Sequence, residues 1–94
     1  MALARVFDGK GWTAEQYDAL LERLLDQLGQ GRRSAPGVLF HWAAATDGGM
    51  RAVDVYESRE SADELAGRIG PISAELGLQM PDITEYEVHD YLTP

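Results

Sequence analysis

Apolar residues recur along this chain with two periods, every second position in four short stretches and every three or four positions in two longer ones. A period of two marks a strand and a period near 3.6 marks a helix, so the change of period delimits the elements. Leu3 to Phe7 predicts a first strand, closed by a turn over Asp8-Gly9-Lys10-Gly11. Thr13-Ala14-Glu15-Gln16 has the spacing of a capping box, with Trp12 before the cap and Tyr17 after it spaced as a hydrophobic staple. The helix that follows carries Tyr17, Leu20, Leu21, Leu24, Leu25 and Leu28 on one broad face and stops at Gly29.

After the loop GQGRRSAPG come VLFHWAAAT and MRAVDVYES, two β-branched and aromatic runs separated by Asp47-Gly48-Gly49, which predict a β-hairpin. A turn on Asp47-Gly48 pairs Trp42 with Val53 and His41 with Asp54, whereas a turn on Gly48-Gly49 pairs Trp42 with Val55 and His41 with Tyr56. Both registers keep the same faces together, because they differ by two residues. Val38, Phe40, Trp42, Ala44, Val53 and Val55 fall on one face, and Phe40 and Trp42 are expected to meet the helices there. Leu39, His41, Ala43, Ala45, Asp54 and Tyr56 fall on the other.

Ser61-Ala62-Asp63-Glu64 reads as a second capping box, ahead of Leu65, Ala66 and Ile69. Pro71 is expected to end that helix and to start a short turn that Gly77 releases. Asp82 to Leu92 alternates as a last strand, with Tyr86 and Val88 on one face and Ile83, Glu85, Glu87 and His89 on the other. Strand, helix, strand, strand, helix, strand with right-handed crossovers is the ferredoxin-like β-α-β-β-α-β subunit, an α+β fold with antiparallel sheet order 4-1-3-2 and both helices on one side. The other side lacks a cover. With Leu3, Leu39, Ala43 and Tyr56 placed there, a second sheet is expected to bury it, giving a homodimer by sheet-to-sheet packing.

Composition narrows the classes. At 94 residues the chain holds one domain, residues 1-94, and a core this small gains from pairing with a second copy. It has no cysteine, which removes disulfides, thiolate nucleophiles and cysteine metal sites. Net charge is -8, and residues 60 to 94 set only Arg68 against 8 acids. A nucleic-acid backbone would be repelled by that half, and Arg32-Arg33 is too short a basic spot to track a groove. No apolar run spans a bilayer and the first residues do not form a secretory signal, so no membrane partner and a cytoplasmic location are expected.

The stretches GWTAEQYD, APGVLFHWAA, GGMRAVDVYES and EYEVHDYL resemble, over about residues 2 to 92, the dimeric α/β-barrel superfamily and within it the small antibiotic biosynthesis monooxygenase-like proteins. That resemblance implies the same ferredoxin-like subunit, a dimeric barrel and a ligand cavity between sheet and helices. It implies either cofactor-independent oxidation of an aromatic or polyketide-like compound or, as the alternative, a non-catalytic dimeric ligand-binding or stress-associated domain. Haem-degrading members use an Asn, a Trp and a His together, and this chain contains no Asn.

His41 is the foremost chemical candidate, since a neutral imidazole takes a proton near pH 7. Asp54, an acid inside an apolar strand, requires a partner, which His41 or Arg5 can supply, and Asp54 or Tyr56 can orient the imidazole. These three form the expected catalytic set, each with a structural role as its counterpart: a sheet histidine at a dimer interface, an ion pair, a core tyrosine. Tyr17, Trp42 and His89 are the expected substrate contacts, with core packing the competing role for the first two. His41 and His89 belong to opposite edge strands in the 4-1-3-2 order, so only a second subunit could join them. Arg51, three residues from Asp54, belongs to the other strand face. No HxH or HExxH spacing is present and the glycine-rich stretches do not fit a phosphate loop, so neither a metal nor a cofactor is expected.

Overall fold

The structure is a computed structural model that describes residues 2–29 and 35–92. Its elements are β1 (Leu3–Lys10), α1 (Ala14–Leu28), β2 (Val38–Thr46), β3 (Gly49–Tyr56), α2 (Arg59–Glu75) and β4 (Asp82–Glu87). The strands form one antiparallel sheet in the order β2-β3-β1-β4, which is the ferredoxin-like order 4-1-3-2 read from the other edge. The Arg32-Arg33 spot and most of its loop lie outside the described residues. No helix among the described residues is long and apolar enough to cross a membrane.

Helix α1 starts and stops for the reasons written in its sequence. The Thr13 hydroxyl accepts the Gln16 N–H at 3.1 Å, the Gln16 side chain accepts the Thr13 N–H at 2.9 Å, and Gly29 closes the helix at φ 64°. The hairpin uses the Asp47-Gly48 turn, which sets His41 opposite Asp54 and Trp42 opposite Val53.

Four expectations change. Strand β1 does not close at Asp8; it continues to Lys10, pairing with Met50 and Gly49 before turning at Gly11, φ 76°. This extension is possible because Gly9 and Gly49 let two backbones meet: a Cβ on Gly49 would lie 2.0 Å from the Gly9 carbonyl oxygen. Helix α2 is capped by Ser58, whose hydroxyl accepts the Ser61 N–H at 3.2 Å, instead of by Ser61. It also runs through Pro71 to Glu75. A proline ring collides with the carbonyl four residues back and with the preceding Cβ; those positions are Gly67 and Gly70, where bare backbone has room to yield. Strand β4 ends at Glu87 because its partner does: Glu87 pairs with Leu3, the first residue of β1, and one further bond joins the Val88 N–H to the Ala2 carbonyl.

The fourth change exchanges the two faces of the hairpin. The helices cover the face of Leu3, Arg5, Asp54 and Tyr56, while Phe40 and Trp42 are 43% and 42% exposed on the opposite face. A β-bulge between Val38 and Phe40 adds one residue to β2, so Val38 joins Tyr56 and the core while Phe40 and Trp42 point away. Leu3 and Tyr56 therefore need no second sheet, being buried under α1 and α2 with Leu20, Leu24, Leu65 and Ile72. The open face nevertheless remains apolar at its centre, with Phe40, Trp42, Val53, Val55, Ala4 and Val6 in register across three strands.

A polar seam crosses this covered layer. Arg5 is 8% exposed and donates to Glu85 and to Asp63, each at 2.8 Å, tying β1 to β4 and α2. Glu85 is shared with Arg59, and the two guanidinium groups hold its carboxyl below the usual range. The buried Tyr56 hydroxyl donates to Asp54 Oδ2 at 2.7 Å. Burial, then the Asp54 carboxylate and their hydrogen bond, push the Tyr56 phenol far above its ordinary value, against a smaller opposing pull from Arg5.

Gly49→Ala is expected to lower stability by about 1–3 kcal/mol through its positive φ alone, with the clash against Gly9 adding to it, as read from urea unfolding. Tyr56→Phe leaves the buried Asp54 carboxylate one donor short and is expected to cost about 1–3 kcal/mol at pH 7. Because the folded-state phenol is the one whose pKa is raised, its contribution is intact below the unfolded-chain value of about 10 and declines as pH rises beyond it. The same substitution should therefore flatten the alkaline fall in stability, followed by unfolding midpoints from pH 8 to 11.

Candidate functional site

Strand register alone brings His41 and Asp54 side by side, since they are Cα partners on β2 and β3 and point to the covered face. The His41 Nδ1 meets Asp54 Oδ1, and Asp54 Oδ2 accepts from Tyr56, so both carboxylate oxygens are occupied. Asp54 is 6% exposed; an acid this deep persists as a carboxylate through such donors. Arg5 is its Cα partner on β1 but spends its donors on Glu85 and Asp63, so of the two partners open to Asp54 the imidazole is the one engaged.

The other imidazole nitrogen faces α1. Tyr17 lies in the turn after the Thr13 cap, and its hydroxyl sits 2.6 Å from His41 Nε2, with the two rings within 7° of parallel. A carboxylate on Nδ1 fixes the proton there, which leaves Nε2 as the acceptor and the Tyr17 hydroxyl as donor. Four side chains thus form one hydrogen-bonded row, Tyr56 to Asp54 to His41 to Tyr17, running from the buried centre of the sheet toward solvent.

The row borders a cavity of about 770 Å³ between sheet and helices. Tyr17, His41, Asp54 and Tyr56 all line it, and Trp42 joins from the edge strand. Most of the remaining wall is apolar, from Leu20, Leu21, Leu24 and Leu25 of α1, Leu65 and Ile69 of α2, and Phe7, Met50 and Ile83 of the sheet. Such a wall suits a flat apolar molecule, with the polar row to orient it. His89 does not take part: it is exposed beyond the end of β4 and absent from the cavity wall.

Trp12 is a wall residue that sequence patterning assigned only to the helix staple. Its indole N–H donates to the Gln79 carbonyl at 2.9 Å, and its ring lies so close over Gly9 that a Cβ there would be 2.7 Å away. It closes one end of the cavity beside Met80 and Pro81. The nearest signal in the sequence is Gly9, which supplies the flat backbone this indole rests on. Arg51 is on the open face, paired with Asp8 at 2.7 Å, which keeps it from the His41 row. Among the described residues no three His, Asp or Glu side chains gather as a metal ion requires.

No protein-family model matches the sequence, and no curated protein matches it. Solved structures do match in fold. Rv0793 from Mycobacterium tuberculosis superposes with a TM-score of 0.61 at 21% identity, covering 98% of this chain and 97% of its own. SnoaB, a cofactor-independent oxygenase from Streptomyces nogalater, gives a TM-score of 0.61 at 11% identity over 99% of this chain and 96% of its own. The ActVA-Orf6 monooxygenase of Streptomyces coelicolor, solved in complex with nanaomycin D, gives 0.59 at 19% identity over 99% and 91%. This chain therefore carries, over nearly its whole length, the ferredoxin-like fold of the antibiotic biosynthesis monooxygenase-like proteins.

Proposed function

We propose that this protein oxidises a phenolic, polyketide-like compound with molecular oxygen and without a cofactor. The observation that carries this reading is the cavity wall itself, where Tyr17, His41, Trp42, Asp54 and Tyr56 meet in one apolar space. His41 serves as general base, Asp54 holds its tautomer and orientation, and Tyr56 holds Asp54. Tyr17 and Trp42 contact the substrate ring. Removing the phenolic proton makes the ring electron-rich enough to reduce oxygen. For a phenol with an unsubstituted para position, one oxygen atom enters the ring to give the quinone and the other leaves as water. The protein's part is the base and the positioning. SnoaB is named a cofactor-independent oxygenase, which supports the reaction class by analogy of fold.

A second reading is a non-catalytic ligand-binding domain, and one contact favours it: the Tyr17 hydroxyl already occupies His41 Nε2. Oxygen uptake over a panel of two- and three-ring phenols separates the readings. With a turned-over phenol in hand, His41→Ala and Asp54→Asn should each lower kcat by about 100-fold or more. Equal turnover in His41→Ala would assign the row to structure.

The apolar centre of the open sheet face supports a homodimer formed by packing two such faces together. Light scattering is expected to return twice the 10.3 kDa chain mass, and Val53→Glu, which puts a charge at the middle of that face, is expected to return the single mass with the helical signal unchanged. His89 would reach a cavity only through such a partner.

A further inference from the structure

The two tyrosines that end the polar row are in opposite states, and the difference gives the row a direction. Tyr56 is 1% exposed, is surrounded by core side chains and donates to a carboxylate, so it holds its proton at any physiological pH. Tyr17 is half-buried at the cavity wall and donates to an imidazole nitrogen that is itself a base. Between them Asp54 has both oxygens occupied and His41 has both nitrogens occupied. A substrate proton therefore meets the Tyr17 hydroxyl at the near end of the row, and His41 Nε2 receives a proton only through that oxygen or after it moves away.

Resting on the reading of this site as a base, we propose that Tyr17 is the catalytic residue that takes the substrate's phenolic proton and passes its own to His41. A phenol oxygen donates and accepts at once, so one hydroxyl can hold both bonds. In the step, the substrate O–H bond breaks and its proton forms a new O–H bond on Tyr17. The Tyr17 proton moves to His41 Nε2 over the existing 2.6 Å bond. The substrate is left as aryloxide, and the positive imidazolium faces the Asp54 carboxylate that already accepts from Nδ1. Tyr17 ends neutral, as it began. Two side-chain charges are created or kept, both inside the row, and Tyr56 keeps the carboxylate from rotating away from the imidazolium. This arrangement converts the contact that would otherwise disable His41 into its path to the substrate, and it restricts the substrate to molecules that bring an acidic hydroxyl to the Tyr17 oxygen.

The test uses 4-nitro-1-naphthol, a two-ring phenol whose colour distinguishes phenol from phenolate, bound to the intact protein and to Tyr17→Phe and His41→Ala. The wild-type protein is expected to hold more of the probe as phenolate than free solution at the same pH, and both variants to lose that excess by tenfold or more. Tyr17→Phe keeps the ring, so circular dichroism and unfolding midpoints should stay near wild type. A Tyr17→Phe protein that still ionises the probe, with His41→Ala failing to, overturns the relay and leaves His41 as direct base. A wild-type protein that leaves the probe neutral overturns it too. Ionisation without oxygen uptake on any phenol would instead retain the relay and discard the oxygenase reading.

Discussion

The position of a single buried carboxylate organises this protein. Asp54 stands in the middle of β3 on the helix-covered face, where an unpaired charge would cost several kcal/mol. The fold supplies donors from two directions: His41 from the neighbouring strand and Tyr56 two residues along the same strand, one for each oxygen. Those contacts need the Asp47-Gly48 hairpin register and the alternation of β3, so the turn, the sheet and the site are satisfied together. Tyr56 also anchors the core. The same phenol that fills the centre of the apolar layer holds the acid in place.

This dual use explains why the two faces of the sheet have such different characters. The covered face is the polar one by sequence, carrying Arg5, His41, Asp54 and Glu85, yet each of these groups finds partners there. Arg5 bridges to β4 and α2, and that seam holds the far side of the sheet to its helix as the Asp54 row holds the near side. The open face is the apolar one at its centre, and nothing within the subunit covers Phe40 or Trp42. A ligand space on one face and an association surface on the other follow from this division of labour.

The proton row gains its functional sense from the gradient of burial along it. Tyr56 is enclosed and locked as a donor, Asp54 is enclosed and ionised, His41 is partly open, and Tyr17 lies at the wall of the cavity. Charge can be rearranged only at the open end, because ionising Tyr56 would place a second negative charge beside Asp54 in a dry layer. The helix start at Thr13 contributes by fixing where Tyr17 begins its turn, so a local capping signal aims a side chain at a residue 24 positions away.

Local chemistry determined much of this in the sequence. Thr13, Gln16 and Gly29 bound α1, Asp47-Gly48 set the hairpin, the Asp54 charge demanded a partner, and the order of elements with right-handed crossovers specified the sheet. These features depend on residues close in the chain or on chirality, which a linear pattern expresses. What the tertiary structure alone decided was which face the helices cover, how far β1 and β4 run, and where α2 passes its proline. Alternation with a period of two divides a strand into faces without saying which is inside, and one bulged residue at Val38/Phe40 shifts that division unseen. Strand ends depend on a partner's length, and Pro71 depends on glycines at two helical offsets. Tyr17 met His41 only once α1 was laid across the sheet, since that contact depends on packing between elements, which periodicity does not encode.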